Sequence, residues 1–330
     1  MANTIGVAVL GTGVIGGEVA RRVAAGTATE PASGVALELV GVLDRGPEQV
    51  AQAGLDPTLL ACDGFTLIER PEVRIVVEAM GGEQPAADLM CRALAQGKHV
   101  VTANKEAVSK QLPAILAAAR DGDAAFLCEA SVGGGIPLLV SLRQVLASNQ
   151  VERVRGIING TTNYILWQME SAGTSYADAL AQAQQLGYAE ADPTADVEGF
   201  DASYKLAIMA SLMSGRHVHP NEVDRTGISG VSAEEIADAR AQGGAIRLIA
   251  EARREGDGLV LRVAPTFVSG DDLFSKVIAN YNAVEIVGDK LGPVWLHGQG
   301  AGPLPTASAI LSDVVEAART GSAATPRLMS

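Results

Sequence analysis

Along the first 130 or so residues, short apolar runs alternate with segments of helical period. Ile5–Leu10 is an apolar run of the kind a buried strand shows. Gly11-Thr12-Gly13-Val14-Ile15-Gly16 follows at once, and Val14 to Ala25 has helical character up to Gly26. The segment from Gly26 to Gly34 reads as an exposed loop, and Leu37–Leu43 as a second strand ending at Asp44. Further strands are expected at Arg74–Glu78, stopped by Gly81-Gly82, at His99–Thr102 and at Ala124–Cys128. Helices are expected from about Pro85 to Gly97 and after Thr102 to about Arg120. Gly133-Gly134-Gly135 and Pro137 mark a sharp break. This alternation predicts a doubly wound parallel sheet.

Beyond about residue 150 the pattern changes. Val151–Ile158 is strand-like, and helices are expected around Thr162–Ser171, Tyr176–Leu186 and Asp201–Ser214. Ser232 with Glu235 is a capping-box signature for another helix. Ile246–Ala252, Leu259–Phe267 and Val284–Val287 read as strands, the first two joined by Gly256-Asp257-Gly258. This half predicts an α+β domain with an open sheet and helices on one face. A last helix is expected from about Thr306 to Arg319, opened by Gly300-Ala301-Gly302-Pro303.

Composition narrows the partners. A chain of 330 residues has room for about two domains, and 48% apolar content supplies a sizeable core. A net charge of −13 argues against nucleic acid and against an anionic membrane surface. Cys62, Cys91 and Cys128 are odd in number and widely spaced, so neither a disulfide framework nor a zinc pattern is suggested. His217, His219 and His297 do not supply metal-ligand spacing with them. The N-terminus lacks a basic run followed by an apolar core, so a soluble cytoplasmic protein is expected.

The GxGxxG run falls between a strand and a helix, the context that makes it a dinucleotide fingerprint. Gly11 would allow the tight turn, Gly13 the approach of the pyrophosphate, and Gly16 close packing of helix on strand. Val14 and Ile15 begin that helix. Asp44 lies 28 residues after Gly16, against a usual spacing of about 20; the nine-residue loop from Gly26 accounts for the excess. A carboxylate there would bind ribose hydroxyls and favour NAD, whereas the adjacent Arg45 could pair with a 2′-phosphate and favour NADP. The two point in opposite directions, with a slight lean to NAD.

Five more segments occur in order: Val101–Lys105 (VTANK), Glu129–Pro137 (EASVGGGIP), Gly156–Tyr164 (GIINGTTNY), Gly187–Asp201 (GYAEADPTADVEGFD) running into Lys205, and Gly300–Ala309 (GAGPLPTASA). This set resembles the homoserine dehydrogenase family over nearly the whole chain. The resemblance implies NAD(P)-dependent interconversion of L-aspartate 4-semialdehyde and L-homoserine, in threonine, methionine and isoleucine biosynthesis. It implies a Rossmann-like α/β dinucleotide-binding domain, residues 1–135 with 300–330. Residues 136–299 would form an α+β substrate-binding and dimerisation domain, and the assembly would be a homodimer. Many members add a C-terminal ACT domain or an N-terminal kinase; this chain ends after the core, so inhibition by threonine is not expected.

The chemistry needs a proton donor beside the carbonyl oxygen that receives hydride. Lys205 follows Asp201 by four residues in a helical stretch, so both can face one small site. Leu206, Met209 and Met213 would anchor the neighbouring face. On spacing alone the pair reads as readily as a surface ion pair. The resemblance makes Lys205 the proton donor and Asp201 the group that orients the reacting oxygen. It places Lys105 near the nicotinamide and the reacting oxygen, and Gly302 in the cofactor site. It gives Glu190, in a loop with Pro193 and without regular structure, to the homoserine ammonium, and Asp196, Thr161 and Tyr188 to the same pocket. It also makes Glu129, with the carbonyl oxygens of Val132, Gly134 and Ile136, a Na⁺ site, and hard oxygen donors suit such a cation. Read without the resemblance, the same glycines make a turn between domains.

Two rivals remain. Cys128 could be a thiohemiacetal nucleophile, as in an aspartate-semialdehyde dehydrogenase, although its place at the end of an apolar strand suits a buried inert thiol. A catalytically silent nicotinamide-binding protein could share the fold; Lys105, Glu190, Asp201 and Lys205 together argue against it.

Overall fold

The computed structural model describes residues 4–29 and 34–320. The described residues divide into two compact units, one formed by 4–29, 34–135 and 302–320, the other by Ile136–Ala301.

In the first unit, β1 (Thr4–Leu10) leads through the glycine loop into α1 (Val14–Ala24). Then come β2 (Ala36–Leu43), α2 (Pro47–Gln52), α3 (Gly64–Glu69), β3 (Val73–Glu78), α4 (Ala86–Ala95), β4 (His99–Thr102), α5 (Lys105–Asp121) and β5 (Phe126–Leu127). The sheet is parallel in the order β2-β1-β3-β4-β5. Chain direction across the sheet reverses between β1 and β3, and such a switch point opens a crevice beyond the carboxyl ends of the strands. Val7, Val9, Val19, Ile75 and Val77 form the centre of the core.

Three local expectations change. The strand expected at Ala124–Cys128 shrinks to Phe126–Leu127, because Cys128 opens a 3₁₀ turn at Glu129–Ser131 and its carbonyl accepts from Ser131 Oγ at 2.6 Å. The loop after Gly26 is not wholly exposed: Ala28 is buried in the core, while 30–33 lie outside the described residues. Helices α2 and α3 were not anticipated, since six residues are too few to display a helical period.

The second unit contains α6 (Leu138–Leu146), β6 (Val151–Ile157), α7 (Gly160–Ala172), α8 (Tyr176–Gln185), α9 (Thr194–Val197), α10 (Phe200–Ser214), β7 (Asp224–Arg225), α11 (Ala233–Ala241), β8 (Gly244–Glu255), β9 (Gly258–Ser269), β10 (Tyr281–Gly288) and β11 (Gly292–Gln299). Its mixed sheet runs β11-β10-β6-β8-β9-β7. The Ser232–Glu235 capping box forms as expected. Strand β11 was missed, because Pro293, His297 and Gln299 dilute its apolar pattern. Helix α10 is apolar nearly all round and buried nearly all round, so its two charged residues, Asp201 and Lys205, sit in the interior. Arg254 of β8 donates to the Met213 carbonyl at the end of α10, so that face of the sheet carries the helix. On the opposite face, strand register sets Arg155, Glu285 and Trp295 side by side. Arg155 bonds Glu285 at 2.7 Å and Asp272 at 2.9 Å there.

The last helix, α12 (Pro303–Thr320), belongs to the first unit and places Ala307, Ile310, Val314 and Ala317 in its core. No helix among the described residues is long and apolar enough to cross a membrane.

Candidate active site

At the switch point of the first sheet lies a cavity of about 940 Å³. Gly11, Thr12, Gly13, Val14, Asp44, Arg45, Ala79, Met80, Gly81 and Pro303 are among its walls. Each fingerprint glycine has a distinct steric reason. Gly11 has φ +90°, and a Cβ there would meet the Ala79 carbonyl at 2.8 Å. A Cβ on Gly16 would lie 1.9 Å from the Gly11 carbonyl oxygen, so only glycine lets α1 start that close to its strand. A Cβ on Gly13 would touch no protein atom and would project into open space. No side chain caps α1 at Gly13, which leaves its first-turn amides for an anion. Val14 is 70% exposed beside them, Ile15 is half-buried, and Gly302 directly precedes the wall residue Pro303. The site fits a dinucleotide pyrophosphate.

Asp44 is committed within the protein. Its Oδ2 accepts from the Thr12 amide at 2.6 Å and Thr12 Oγ1 at 2.5 Å, and its Oδ1 from the Arg45 amide at 2.7 Å. Burial works against its ionisation, but the bonds from Thr12 and Arg45 outweigh it and hold the carboxyl below the usual range. Arg45 itself is exposed on the cavity wall. Lys105 is the first residue of α5, just beyond the end of β4, and is half-buried.

The second unit carries a compact polar cluster. Lys205 is 9% exposed; its Nζ donates to Asp201 Oδ2 at 2.6 Å and to the Ile158 carbonyl at 2.8 Å. An ammonium has three protons, so one remains for a ligand oxygen. Asn159 Nδ2 donates to Asp196 Oδ1 at 2.7 Å and to Asp201 Oδ2 at 2.9 Å, bridging two carboxylates from different helices. The other end of the same side chain caps α7, accepting from the Thr162 amide at 2.8 Å. Burial, then the neighbouring Asp201 charge, pushes Asp196 up from the usual carboxylate range. Thr161 Oγ1 donates to the Tyr188 carbonyl at 2.6 Å and also lies against Asp196. Thus Thr161, Tyr188, Asp196, Asp201 and Lys205, distant in sequence, share one locality. Glu190 is exposed two residues beyond Tyr188. The segment after it is not irregular as expected, for α9 begins directly after Pro193.

Asn159 is the member of this cluster that sequence reasoning passed over. It stood inside the Gly156–Tyr164 segment, and its signal was an asparagine one position ahead of a helix start.

The Glu129–Pro137 segment is a tight, largely buried turn. Glu129 is buried in its 3₁₀ turn, and its amide donates to the buried Asp313 carboxylate at 2.9 Å. Val132 is buried, Gly133 and Gly134 take left-handed φ of 80° and 56°, and the Ile136 carbonyl accepts from the Leu138 amide at 2.7 Å. Cys128, beside this turn, is 4% exposed.

A family model described as "Homoserine dehydrogenase" matches residues 137–315, and one described as "Homoserine dehydrogenase, NAD binding domain" matches residues 11–129. The chain is 45% identical over 284 residues to the homoserine dehydrogenase of Synechocystis sp., a match covering 85% of this chain and 66% of the relative. The chain therefore spans about two thirds of that relative's length. The crystal structure of a homoserine dehydrogenase from Thiobacillus denitrificans matches with a TM-score of 0.90 at 37% identity, covering 99% of this chain and 78% of that one. A hyperthermophilic archaeal homoserine dehydrogenase in complex with NADPH matches with a TM-score of 0.82 at 26% identity, covering 96% and 98%.

Proposed function

We propose a mechanism from one premise: the chain belongs to the homoserine dehydrogenase family, and is an NAD(P)-dependent oxidoreductase. A bound nicotinamide supplies the hydride for aldehyde reduction, or takes it from homoserine. The protein's own residues bind, orient and move the proton.

Lys205 carries that proton. In the reduction direction the ammonium gives one to the oxygen of aspartate semialdehyde as the alcohol forms, and in the oxidation direction the neutral amine takes one from the homoserine hydroxyl. The observation that carries this reading is the Lys205 ammonium, buried, fixed by two acceptors and left with one proton to direct. Asp201 holds Lys205 in place and, through Asn159, is itself held against Asp196. Thr161, Tyr188 and Asp196 line the substrate side, and Glu190 receives the substrate ammonium. Lys105 serves the nicotinamide end of the first unit's site.

Cofactor choice follows from Asp44 and Arg45. Asp44 already accepts three bonds from Thr12 and Arg45, so it clasps the glycine loop and keeps little acceptor capacity for a ribose hydroxyl. Arg45 then offers an exposed guanidinium for a 2′-phosphate. This favours NADP, and the archaeal relative solved with NADPH supports it. For Na⁺, the all-oxygen donor set of Glu129, Val132, Gly134 and Ile136, with the buried Asp313 carboxylate nearby, has the chemistry to hold it. The homodimer is part of the same reading.

The test is a steady-state assay with L-homoserine and either dinucleotide, on wild type, Lys205→Ala, Cys128→Ser and Arg45→Ala. Lys205→Ala is expected to lose about 10²–10⁴-fold in kcat, the usual worth of a positioned acid–base group. Cys128→Ser keeps most of the turnover, since a buried thiol has no role in direct hydride transfer. Arg45→Ala raises KM for NADP by about 10–100-fold, as for one lost charge-assisted bond, and leaves KM for NAD nearly unchanged. The reverse pattern for Lys205 and Cys128 would sink the lysine mechanism.

A further inference from the structure

A dense set of polar groups apart from the Lys205 cluster lies beside the first unit's cavity, around Glu78. This residue ends β3 and is 0% exposed. Its Oε1 accepts from the Met80 amide at 2.8 Å and from Asn104 Nδ2 at 3.3 Å, and its Oε2 accepts from Thr102 Oγ1 at 2.5 Å. The Gly81 amide adds a further bond. The donors come from two places. Met80 and Gly81 belong to the turn after β3 that lines the cavity. Thr102 ends β4, and Asn104 is the cap of α5, the helix whose first residue is Lys105.

Asn104 extends the tie in both directions. Its Nδ2 also donates to the Gly82 carbonyl at 2.7 Å, while its Oδ1 accepts from the Ala107 amide at 3.0 Å. Its own amide donates to Thr102 Oγ1 at 2.9 Å. One carboxylate and one amide therefore join two loops that leave neighbouring strands. Gly81 and Gly82 have φ of 77° and 71°, so the turn itself holds a left-handed path and depends on outside bonds for its place.

We propose that Glu78 is a positioning residue, which locks the cavity-lining turn Ala79–Gly82 to the first turn of α5 and so fixes the distance between the cofactor wall and Lys105. The proposal rests on the reading that this cavity holds the dinucleotide and that Lys105 serves its nicotinamide end. Burial raises the Glu78 carboxyl above its usual range, against the opposing bonds from Thr102, Met80 and Asn104. A neutral amide of the same shape is thus a fair substitute. In Glu78→Gln, Oε1 can keep the Met80 and Asn104 bonds, and Nε2 can donate to Thr102 Oγ1, which has lone-pair capacity. Glu78→Leu fills the same space and removes the acceptor of the Met80 and Gly81 amides and of Thr102 Oγ1, while Asn104 Nδ2 keeps only the Gly82 carbonyl.

The experiment compares wild type, Glu78→Gln, Glu78→Leu and Lys105→Ala. Dinucleotide Kd is read by fluorescence titration, kcat and KM for homoserine by steady-state assay, and folding by the thermal midpoint. Glu78→Leu is expected to raise dinucleotide Kd by about tenfold or more and lower kcat by about tenfold, with KM for homoserine within about twofold. Glu78→Gln is expected to restore both to within about fivefold. A merely structural role would lower the thermal midpoint but leave Kd and kcat of the folded protein unchanged, and that result overturns the proposal. If Glu78→Leu does not fold, Thr102→Val removes one of the bonds; wild-type Kd and kcat in that variant also overturn it. Lys105→Ala separates the two readings. Full turnover there defeats the role of Lys105, while the effect of Glu78 on dinucleotide Kd is judged separately.

Discussion

At the residue scale the least expected feature is a pair of carboxylates sharing one amide. Asp196 and Asp201 both accept from Asn159, and the Lys205 ammonium is bonded to Asp201. Burial, then Asp201, raises Asp196, while Asn159, Lys205 and Thr161 oppose. A raised folded-state value means that the native protein holds the proton more tightly than the unfolded chain does. The associated stability is complete below the ordinary carboxylate range and is lost as pH climbs through the raised value. Asp196→Asn removes the ionisation and keeps the shape. Its thermal midpoint should approach that of wild type as pH falls to the ordinary carboxylate range and exceed it increasingly as pH rises toward about 8, with homoserine turnover reduced throughout. Calorimetry across that range checks this, and a pH-independent difference would count against it. The sequence made Asp196, Asp201 and Lys205 visible as separate matches. It could not show that Asn159 joins them, because the junction depends on the side-chain geometry where α7, α9 and α10 meet.

At the scale of elements, the long periodic segments were legible and the short ones were not. His99–Thr102 appears with the expected bounds, as apolar runs between glycines and caps leave little choice. Helices α2, α3 and α9, of four to six residues, carry no readable period and are held by tertiary contacts. The glycine loop is the element whose sequence signal and geometry agree most closely, and it separates two kinds of constraint. Gly16→Ala forces a Cβ against the Gly11 backbone, and overpacking of that kind costs about 1–3 kcal/mol; both thermal midpoint and dinucleotide affinity should fall. Gly13→Ala meets no protein atom, so the midpoint should stay put while dinucleotide Kd rises about tenfold, or about 1.4 kcal/mol. Scanning fluorimetry and a binding titration on the two variants test this. Normal binding by Gly13→Ala would move the pyrophosphate elsewhere.

At the scale of the whole molecule, the sheet of the second unit has one face against helix α10 and another with Arg155, Glu285 and Trp295 in register. Val260, at 42% exposed, pairs with Arg253 on that second face, and Leu273, at 53%, lies in the 3₁₀ turn beside Asp272. Exposed apolar side chains among partly exposed ion pairs suit a self-complementary interface. Light scattering should therefore give twice the 33.9 kDa chain mass, and Val260→Glu should shift it toward one; a wild-type monomer would refute the dimer. The first unit has a different dependence. Its core needs Ala307, Ile310, Val314 and Ala317 from α12, whereas the second unit is one unbroken stretch of chain. During synthesis, about 180 residues separate Gly135 from the end of that helix, roughly 10–40 s of translation at ordinary speeds. Through that interval the nascent α1 and β3 present an uncovered apolar groove, while the later-encoded unit can close on itself first. The half of the protein made first is thus the half finished last, and a chain cut short before Ala307 leaves its nucleotide-binding half without the helix that closes its core.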